Sequence, residues 1–309
     1  MRKRCVAPIV ACLTLAVPAS ASAHARTPTV ALDYRLVLDR ESRALNGTDV
    51  SILDGDRSLR VTANPSTVVV LGDLNEPMIR ITRTGAYANR SSPTAVSERL
   101  VQNGEGWKRV GGATFAWHDH RLAPPPYRGG SLGVVARFRV PLRVDGADAA
   151  IAGSFVRYRR PAVWPWIAGV VGAFVLALLA NQWFGRRARR PITLGLGCLA
   201  GLTAVTSLAS FGAADSPSGR VAWVQLGLAA AVGAMAAVGL LRLKGESQVV
   251  LAALIGAASA ATVLGSFGVF RHAVVISSFS PTAARALCAV AFTAGLASAA
   301  TGLVLRSEQ

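Results

Sequence analysis

Residues 134–144 have the sequence VVARFRVPLRV, in which apolar and basic side chains alternate. In an extended strand, the apolar residues at even positions from 136 to 144 fall on one face, and Arg137, Arg139 and Arg143 fall on the other. Asp145-Gly146 follows directly, and this dipeptide favours a tight hairpin turn. The stretch therefore predicts a half-buried strand that ends in a turn, with the arginines on a solvated outer face.

The chain on either side of this strand has the pattern of an all-β domain. Apolar or alternating runs of strand length lie at 34–38, 50–53, 59–62, 67–71, 78–82 and 151–158. The second and third runs flank Asp54-Gly55-Asp56, which predicts a hairpin. Short strands at this spacing predict an Ig-like β-sandwich over residues 24–160.

Cysteine usage limits the chemistry of this domain. The four cysteines of the chain are Cys5, Cys12, Cys198 and Cys288, and all of them lie outside residues 24–160. The domain must therefore fold without disulfides, and any metal site in it must use His, Asp, Glu, Met or a chain terminus.

The basic charge of the chain is unevenly spread. The formal net charge is +17, whereas residues 26–160 contain 20 basic and 13 acidic residues. Most of the remaining charge flanks apolar segments, which is typical of membrane orientation. A nucleic-acid-binding protein would show a concentrated basic face with interleaved aromatic residues, and the sequence has none. We expect a membrane as partner and no nucleic acid.

The first residues predict a secretory signal peptide over 1–23. Arg2-Lys3-Arg4 precedes an apolar run at 6–17, and Ala21-Ser22-Ala23 is a small-x-small cleavage site. Cleavage after Ala23 makes His24 the mature N-terminus, where its α-amine and imidazole form a bidentate copper chelator. Cleavage after Ala25 also fits the rule and removes His24.

Residues 161–309 predict a membrane domain of five transmembrane helices. The apolar segments are about 163–184, 192–211, 221–241, 249–270 and 283–305, and each is long enough to cross a bilayer core. The arginines at 186–190, then Arg242 with Lys244, mark two cytoplasmic loops. This order predicts a plasma-membrane protein with an extracytoplasmic N-terminal domain and a cytoplasmic C-terminus.

The composition of the predicted spans favours an anchoring bundle. They consist mostly of Ala, Gly, Leu, Val and Ser, and their central portions carry no Asp, Glu, Lys or His. Small residues allow helices to pack closely. Proton-coupled transport normally uses intramembrane ionisable residues, so their absence argues against it.

Trp117-His118-Asp119-His120-Arg121 carries two of the four histidines. In a continuous strand, His118 and His120 would lie side by side and could share one metal ion. With His24 as third ligand, and Asp119 or Met78 as further candidates, the nitrogen-rich set favours Cu(II). The sequence assigns no other cofactor.

The same five residues also fit a structural motif. In that interpretation Trp117 packs in the sandwich, Asp119 pairs with Arg121, and the histidines bond to backbone or water. Recognition of a partner by an exposed aromatic-histidine loop is a third alternative, because Pro124-Pro125-Pro126-Tyr127 would form a stiff extended edge.

Several sequence motifs of the outer domain resemble those of an actinobacterial family of membrane proteins with secreted domains. They are Glu76-Pro77-Met78-Ile79-Arg80, Gly85-Ala86-Tyr87-Ala88-Asn89, Ser92-Pro93-Thr94, Trp117–Arg121 and Val140–Gly146. The resemblance implies motif roles for Glu76, Arg80, Asn89, Trp117, Asp119 and Arg121. It implies no biochemical activity. The family pattern extends past Arg121 to a third histidine, whereas this chain has Leu122-Ala123-Pro124 there.

A second resemblance is to CopC-type copper-binding sandwiches. These domains begin with a histidine exposed by signal cleavage, as His24 would be, and end with a strand pair that contains Asp-Gly. In CopC-type domains a histidine follows that Asp-Gly, whereas Ala147 follows Asp145-Gly146 here. The resemblance implies copper binding or copper handling.

No catalytic signature is present. The sequence contains no nucleophile elbow, phosphate-binding loop or zinc-protease motif. We therefore expect a non-enzymatic cell-envelope protein that presents an outward β-sandwich and associates with itself or with another envelope protein. The alternative is a CopC-like copper protein that uses His24, His118 and His120.

Overall fold

The structure is a computed structural model that describes residues 31–43, 45, 48–53, 58–123, 131–215, 233, 236–239 and 241–307. The predicted signal peptide and His24 lie outside the described residues. The chain divides into two compact units. One is the β-rich unit of residues 32–159, and the other contains the helices from residue 160 onward, together with residue 31.

The β-rich unit contains two antiparallel sheets. The larger sheet has seven strands in the order β2-β11-β10-β5-β6-β7-β8. Its strands are β2 (Tyr34–Leu38), β5 (Val68–Leu71), β6 (Pro77–Thr82), β7 (Gly85–Asn89), β8 (Trp107–Gly111), β10 (Gly133–Val144) and β11 (Ala147–Arg157). The smaller sheet has the order β3-β4-β9, with β3 (Thr48–Leu53), β4 (Ser58–Ala63) and β9 (Thr114–His118). A further two-residue strand, β1 (Ala31–Leu32), precedes them.

Short helical segments link several strands of this unit. They are α1 (Arg40–Arg43), α2 (Pro93–Ser97) and a 3-10 turn at His120–Leu122. Ser92 caps α2 through its hydroxyl, which accepts a hydrogen bond from Ala95 N at 3.1 Å, and Pro93 stands at the first helical position. Both features are ordinary start signals of a helix.

The hairpin of β10 and β11 confirms the alternation of residues 134–144. Phe138, Val140 and Leu142 are buried. The three arginines of the opposite face are exposed. Asp145 and Gly146 have φ values of 51° and 86°, the left-handed conformation that a two-residue hairpin turn requires. Thr67 N donates to Asp145 Oδ1 at 2.7 Å, which ties the turn to the start of β5.

One hydrophobic core joins the two sheets. Leu59 and Val61 of the smaller sheet belong to the same buried cluster as Val70, Ile79 and Leu142 of the larger one. The N-terminal part of the protein is therefore a β-sheet-rich region with a sandwich-like arrangement, as the sequence predicts.

Among the residues that the structure describes, the helical unit contains four helices that are long and apolar enough to cross a membrane. They are α3 (Trp164–Trp183), α4 (Gly185–Asp215), α5 (Glu246–Leu264) and α7 (Pro281–Ser307). A short helix, α6 (Gly268–Arg271), and a two-residue strand, β12 (Val274–Val275), lie between α5 and α7. The apolar windows of α4 and α7 are Ala188–Ala214 and Pro281–Leu305.

The prediction of five spans is not confirmed. The third predicted segment, 221–241, lies largely outside the described residues. The fourth, expected at 249–270, begins earlier and ends earlier, because α5 ends at Leu264 and a turn at 265–267 separates it from α6. Gly265 caps α5 there, and hydrophobicity continues past the helix end into residues that belong to α6.

Small residues and hydroxyl groups bring α4, α5 and α7 into contact. A Cβ atom placed on Gly256 of α5 would lie 2.8 Å from the carbonyl oxygen of Gly295 in α7, so the two backbones touch. Ser298 Oγ of α7 donates to Thr193 O of α4 at 3.0 Å, and Thr193 Oγ1 lies 2.9 Å from Thr301 Oγ1. The small residues in the sequence predict that the helices pack closely. The hydrogen bonds between hydroxyl groups and backbone are polar contacts that the sequence does not predict.

Candidate functional site

The Trp117–Arg121 stretch begins as the end of β9. Trp117 lies opposite Leu59 of β4 and is buried, while His118 lies opposite Ser58 and is exposed. Asp119 is buried and His120 is exposed, so the two histidines face outward and the residues on either side of His118 face inward.

The backbone changes course between the two histidines. β9 ends at His118, and Asp119 caps the 3-10 turn that begins at His120, with its side chain accepting from Arg121 N at 3.1 Å. The expectation that His118 and His120 stand side by side on one continuous strand therefore does not describe this geometry. A short side chain that bonds to the backbone two residues on favours a turn over further strand pairing.

Asp119 is the centre of a buried hydrogen-bond network. Arg121 Nε donates to Asp119 Oδ1 and Arg121 Nη2 donates to Asp119 Oδ2, each at 2.7 Å. Trp117 Nε1 also donates to Oδ2, at 3.1 Å. Both carboxylate oxygens are thus satisfied by donors from the same five-residue stretch.

Arg121 extends this network to the larger sheet. Its Nη1 donates to the carbonyl oxygen of Leu71 in β5 at 3.0 Å. Burial alone would lower the pKa of Arg121, but the hydrogen bonds and charge of Asp119, helped by Asp73 and Glu98, raise that pKa above its ordinary value. The charged guanidinium therefore links the end of β9 to the end of β5.

His120 lies between two carboxylates. Its Nδ1 is 2.5 Å from Glu98 Oε1, and its Nε2 is 3.3 Å from Asp73 Oδ2. The backbone N–H of His120 also donates to Glu98 Oε1, at 3.0 Å. Each ring nitrogen of His120 therefore lies beside a carboxylate oxygen.

Three of these side chains are close enough to hold a metal ion. Within the described parts of the chain, a potential ligand group consists of Glu98, Asp119 and His120, whose ligand atoms lie within 4.8 Å of one another. Asp119, however, already accepts from Arg121 and Trp117 through both oxygens. Asp73 and Glu98 face different ring nitrogens of His120, so one ion bound to one nitrogen would reach only one of them.

The other predicted ligands are not part of this group. His118 is exposed at the end of β9 and is not a member of it. Met78 is fully buried in the core. His24 lies outside the described residues, so the three-histidine site remains a prediction.

Glu76 connects the loop before β6 to the start of α2. Its Oε1 accepts from Ser92 Oγ at 2.7 Å and from Thr94 N at 3.3 Å, and its Oε2 accepts from Leu74 N at 3.0 Å. Burial alone would raise the pKa of Glu76, but the hydrogen bonds from Ser92 and Thr94 lower it below the ordinary value. Glu76 is therefore held as a carboxylate at a helix N-terminus.

Asn89 and Arg80 occupy the neighbouring strands. Asn89 Nδ2 donates to Pro77 O at 2.8 Å, and Asn89 Oδ1 accepts from Ser91 N at 3.0 Å, so this side chain joins the end of β7 to the start of β6. The Arg80 guanidinium lies over the rings of Trp107 and Tyr87, with its Cζ 4.7 Å and 5.5 Å from their centroids.

Sequence reasoning missed Glu98 as the partner of His120. Glu98 follows α2, and α2 was not predicted, although Ser92-Pro93 is a recognisable helix start. It also missed Arg285 of α7, whose Nε donates to Val269 O at 2.8 Å and whose Nη2 donates to His272 O at 3.0 Å. Arg285 lies near the first turn of its helix. In the sequence, a basic residue at that position reads as the usual charged flank of a membrane span.

Comparisons with known proteins identify no relative of this chain. The chain has no significant match among protein-family models, curated proteins or solved structures.

Proposed function

We propose that the protein is a non-enzymatic cell-envelope membrane protein that presents an outward Ig-like or CopC-like β-sandwich. The observation that carries this proposal is the saturation of Asp119. It is the buried carboxylate of the Trp117–Arg121 motif, and both of its oxygens accept from Arg121 or Trp117. A carboxylate with no free oxygen is suited to holding a loop and poorly suited to acid-base catalysis.

The membrane part of the proposal is supported by the four apolar helices. With the arginine-rich segment at 186–190, in the first turns of α4, on the cytoplasmic side, the segment before α3 lies outside. The C-terminus lies inside when the predicted span at 221–241, largely outside the described residues, is counted as a fifth crossing. A cleaved signal peptide over 1–23 gives the same orientation. The partners that fit this arrangement are the membrane and either a second copy or another envelope protein.

Cysteine accessibility tests this topology. In a Cys198→Ser background, we would introduce Asn103→Cys, an exposed site of the β-rich unit, or Lys244→Cys, an exposed site after the third predicted span. A membrane-impermeant maleimide should label Asn103→Cys on intact cells and should label Lys244→Cys only after permeabilisation. Labelling of Asn103→Cys that requires permeabilisation would refute the outward orientation.

Copper binding is the second candidate function. It is favoured by the outward-facing positions of His118 and His120 and by the carboxylates beside His120. Imidazole nitrogens completed by the amine and imidazole of His24 form a set that Cu(II) prefers. Calorimetric titration of the purified full-length protein with Cu(II) tests it. Saturable binding that is lost in both His118→Ala and His120→Ala supports the site, and binding indifferent to both changes rules it out.

A further inference from the structure

Arg80 lies on the outer face of the seven-stranded sheet. Its neighbours on β6, Ile79 and Ile81, point into the core, so Arg80 points the other way. In the antiparallel register it stands opposite Val69 of β5 and opposite Tyr87 of β7. Residues paired in this way share a face of the sheet, so Arg80 and the Tyr87 ring lie side by side.

Two aromatic rings support the Arg80 guanidinium. Its Cζ is 4.7 Å from the Trp107 ring centroid and 5.5 Å from the Tyr87 ring centroid. These distances are within the range of cation–π attraction, which is strongest with tryptophan. The stacked arrangement restricts the rotamers of a long side chain and so pre-organises the fork of its donors.

Arg80 nevertheless has no acceptor among the described residues. Its Nε is buried without a hydrogen-bond partner, and the side chain as a whole is partly exposed. Three other arginines of the same unit have hydrogen-bond or ion-pair partners. Arg121 pairs with Asp119, Arg143 pairs with Asp148, and Arg109 donates to Thr84 O. The Arg80 guanidinium is thus fixed in position while some of its N–H donors are unused. Because buried polar groups normally find a partner, this combination suggests that a ligand supplies the acceptor.

We propose that Arg80, supported by Trp107 and Tyr87, binds a phosphate group on the outer face of the seven-stranded sheet. A guanidinium can donate two parallel hydrogen bonds to a phosphate, and the flat aromatic support keeps that fork in place. Arg143, which pairs with Asp148, stands across Val69 from Arg80, and Arg139 lies on the same face of β10. These basic side chains favour an anionic group such as phosphate on this face of the sheet.

The phosphate could be presented by an anionic phospholipid headgroup or by a soluble phosphate. Both offer the same oxygens to the guanidinium, so the chemistry of the site is shared. The two sources are separated by titrating the purified full-length protein, in a non-ionic detergent, with inorganic phosphate and with a short-chain phosphatidylglycerol. Binding of the lipid alone identifies a headgroup site, and binding of both identifies a site open to free phosphates.

Variants of Arg80 provide the test. We expect Arg80→Gln to weaken calorimetric binding by about tenfold or more, because charge-assisted hydrogen bonds are lost. Arg80→Lys keeps the charge but loses the paired guanidinium donors. Its affinity should therefore lie between those of the wild type and of Arg80→Gln. The matched control is Arg137→Gln, an exposed arginine of the same sheet face without aromatic support, which should change affinity by less than about twofold.

Chemical footprinting on the wild-type protein keeps the test independent of variant folding. Phenylglyoxal modifies accessible arginines, and bound phosphate or phosphatidylglycerol should slow modification at Arg80 and leave Arg137 unchanged. Three results would each overturn the proposal. The first is that neither ligand binds saturably. The second is that Arg137→Gln loses as much affinity as Arg80→Gln. The third is that bound ligand protects Arg80 from phenylglyoxal no more than it protects Arg137.

Discussion

Asp119 and Arg121 form a side-on ion pair, in which Arg121 Nε and Nη2 each lie 2.7 Å from a different oxygen of the Asp119 carboxylate. The Asp119 side chain is 1% exposed and that of Arg121 is 14% exposed. Because Arg121 also bonds to Leu71 O, this pair holds the end of the smaller sheet against a strand of the larger one.

Asp119→Asn should destabilise the β-rich unit by about 3 kcal/mol, because it removes the charged partner that is hydrogen-bonded to the largely buried Arg121 guanidinium. Pulse proteolysis of the full-length protein across a urea series, scored on the β-rich fragment, measures this change. The matched control is Asp148→Asn. It removes an ion pair with Arg143 whose side chains are 86% and 50% exposed, and it should change stability by less than about 1 kcal/mol. Equal effects of the two variants would contradict a structural role for Asp119.

Gly72→Ala should destabilise the loop between β5 and β6. A Cβ atom at this position would lie 2.6 Å from Thr94 Oγ1 and would also collide with the Glu76 carboxylate. The contact network of Glu76 with α2 would have to shift, and overpacking of this kind costs about 1–3 kcal/mol. Gly112→Ala is the control, because nothing lies within 4 Å of its Cβ position. The same urea series should show no loss for the control.

The stability of the β-rich unit should depend on pH through Glu76. Its folded-state pKa is lowered from an ordinary value of 4.5, so the unfolded chain binds a proton at a higher pH than the folded one. The stabilisation is therefore complete above about pH 4.5 and is lost as the pH falls through the lowered pKa. Calorimetric melts of the full-length protein at decreasing pH measure this loss.

Glu76→Gln separates this effect from general acid unfolding. The amide cannot titrate, so the variant should be less stable than the wild type at neutral pH, and the difference should shrink as the pH falls below about 4.5. A difference that stays constant across that range would show that Glu76 does not carry the pH dependence.

Local patterns predicted much of the β-rich unit. The alternation at 134–144 and the Asp145-Gly146 turn depend on neighbouring residues alone, and both are confirmed. β7 and β8 were not predicted. β7 contains small residues such as Ala86 and Ala88, whose complete burial is decided by the strands beside them and not by their own hydrophobicity.

The candidate site divides in the same way. The pairing of Asp119 with Arg121 spans two residues, so a local motif was sufficient to suggest it. The contact of His120 with Glu98 spans 22 residues and depends on where the end of α2 places the residue that follows it. The sequence places Arg80 in a motif but does not predict its aromatic support, because Tyr87 and Trp107 come from two other strands and reach Arg80 only through the strand register.

Close contact between α5 and α7 gives a prediction for the helical unit. A side chain at Gly295 would collide with the backbone of Gly256, so Gly295→Leu should separate the two helices and destabilise their packing by about 1–3 kcal/mol or more. Gly172→Leu in α3 is the matched control, since nothing lies within 4 Å of its Cβ position.

Cys288 reports on that packing, because its thiol is buried among the helices while Cys198 is exposed. In a Cys198→Ser background, heating the detergent-solubilised protein with a thiol-reactive dye gives a melting midpoint for the helical unit. We expect this midpoint to fall by several degrees in Gly295→Leu and to stay within about one degree of the parent in Gly172→Leu. Equal midpoints for Gly295→Leu and its parent would mean that the Gly256–Gly295 contact does not hold the helices together.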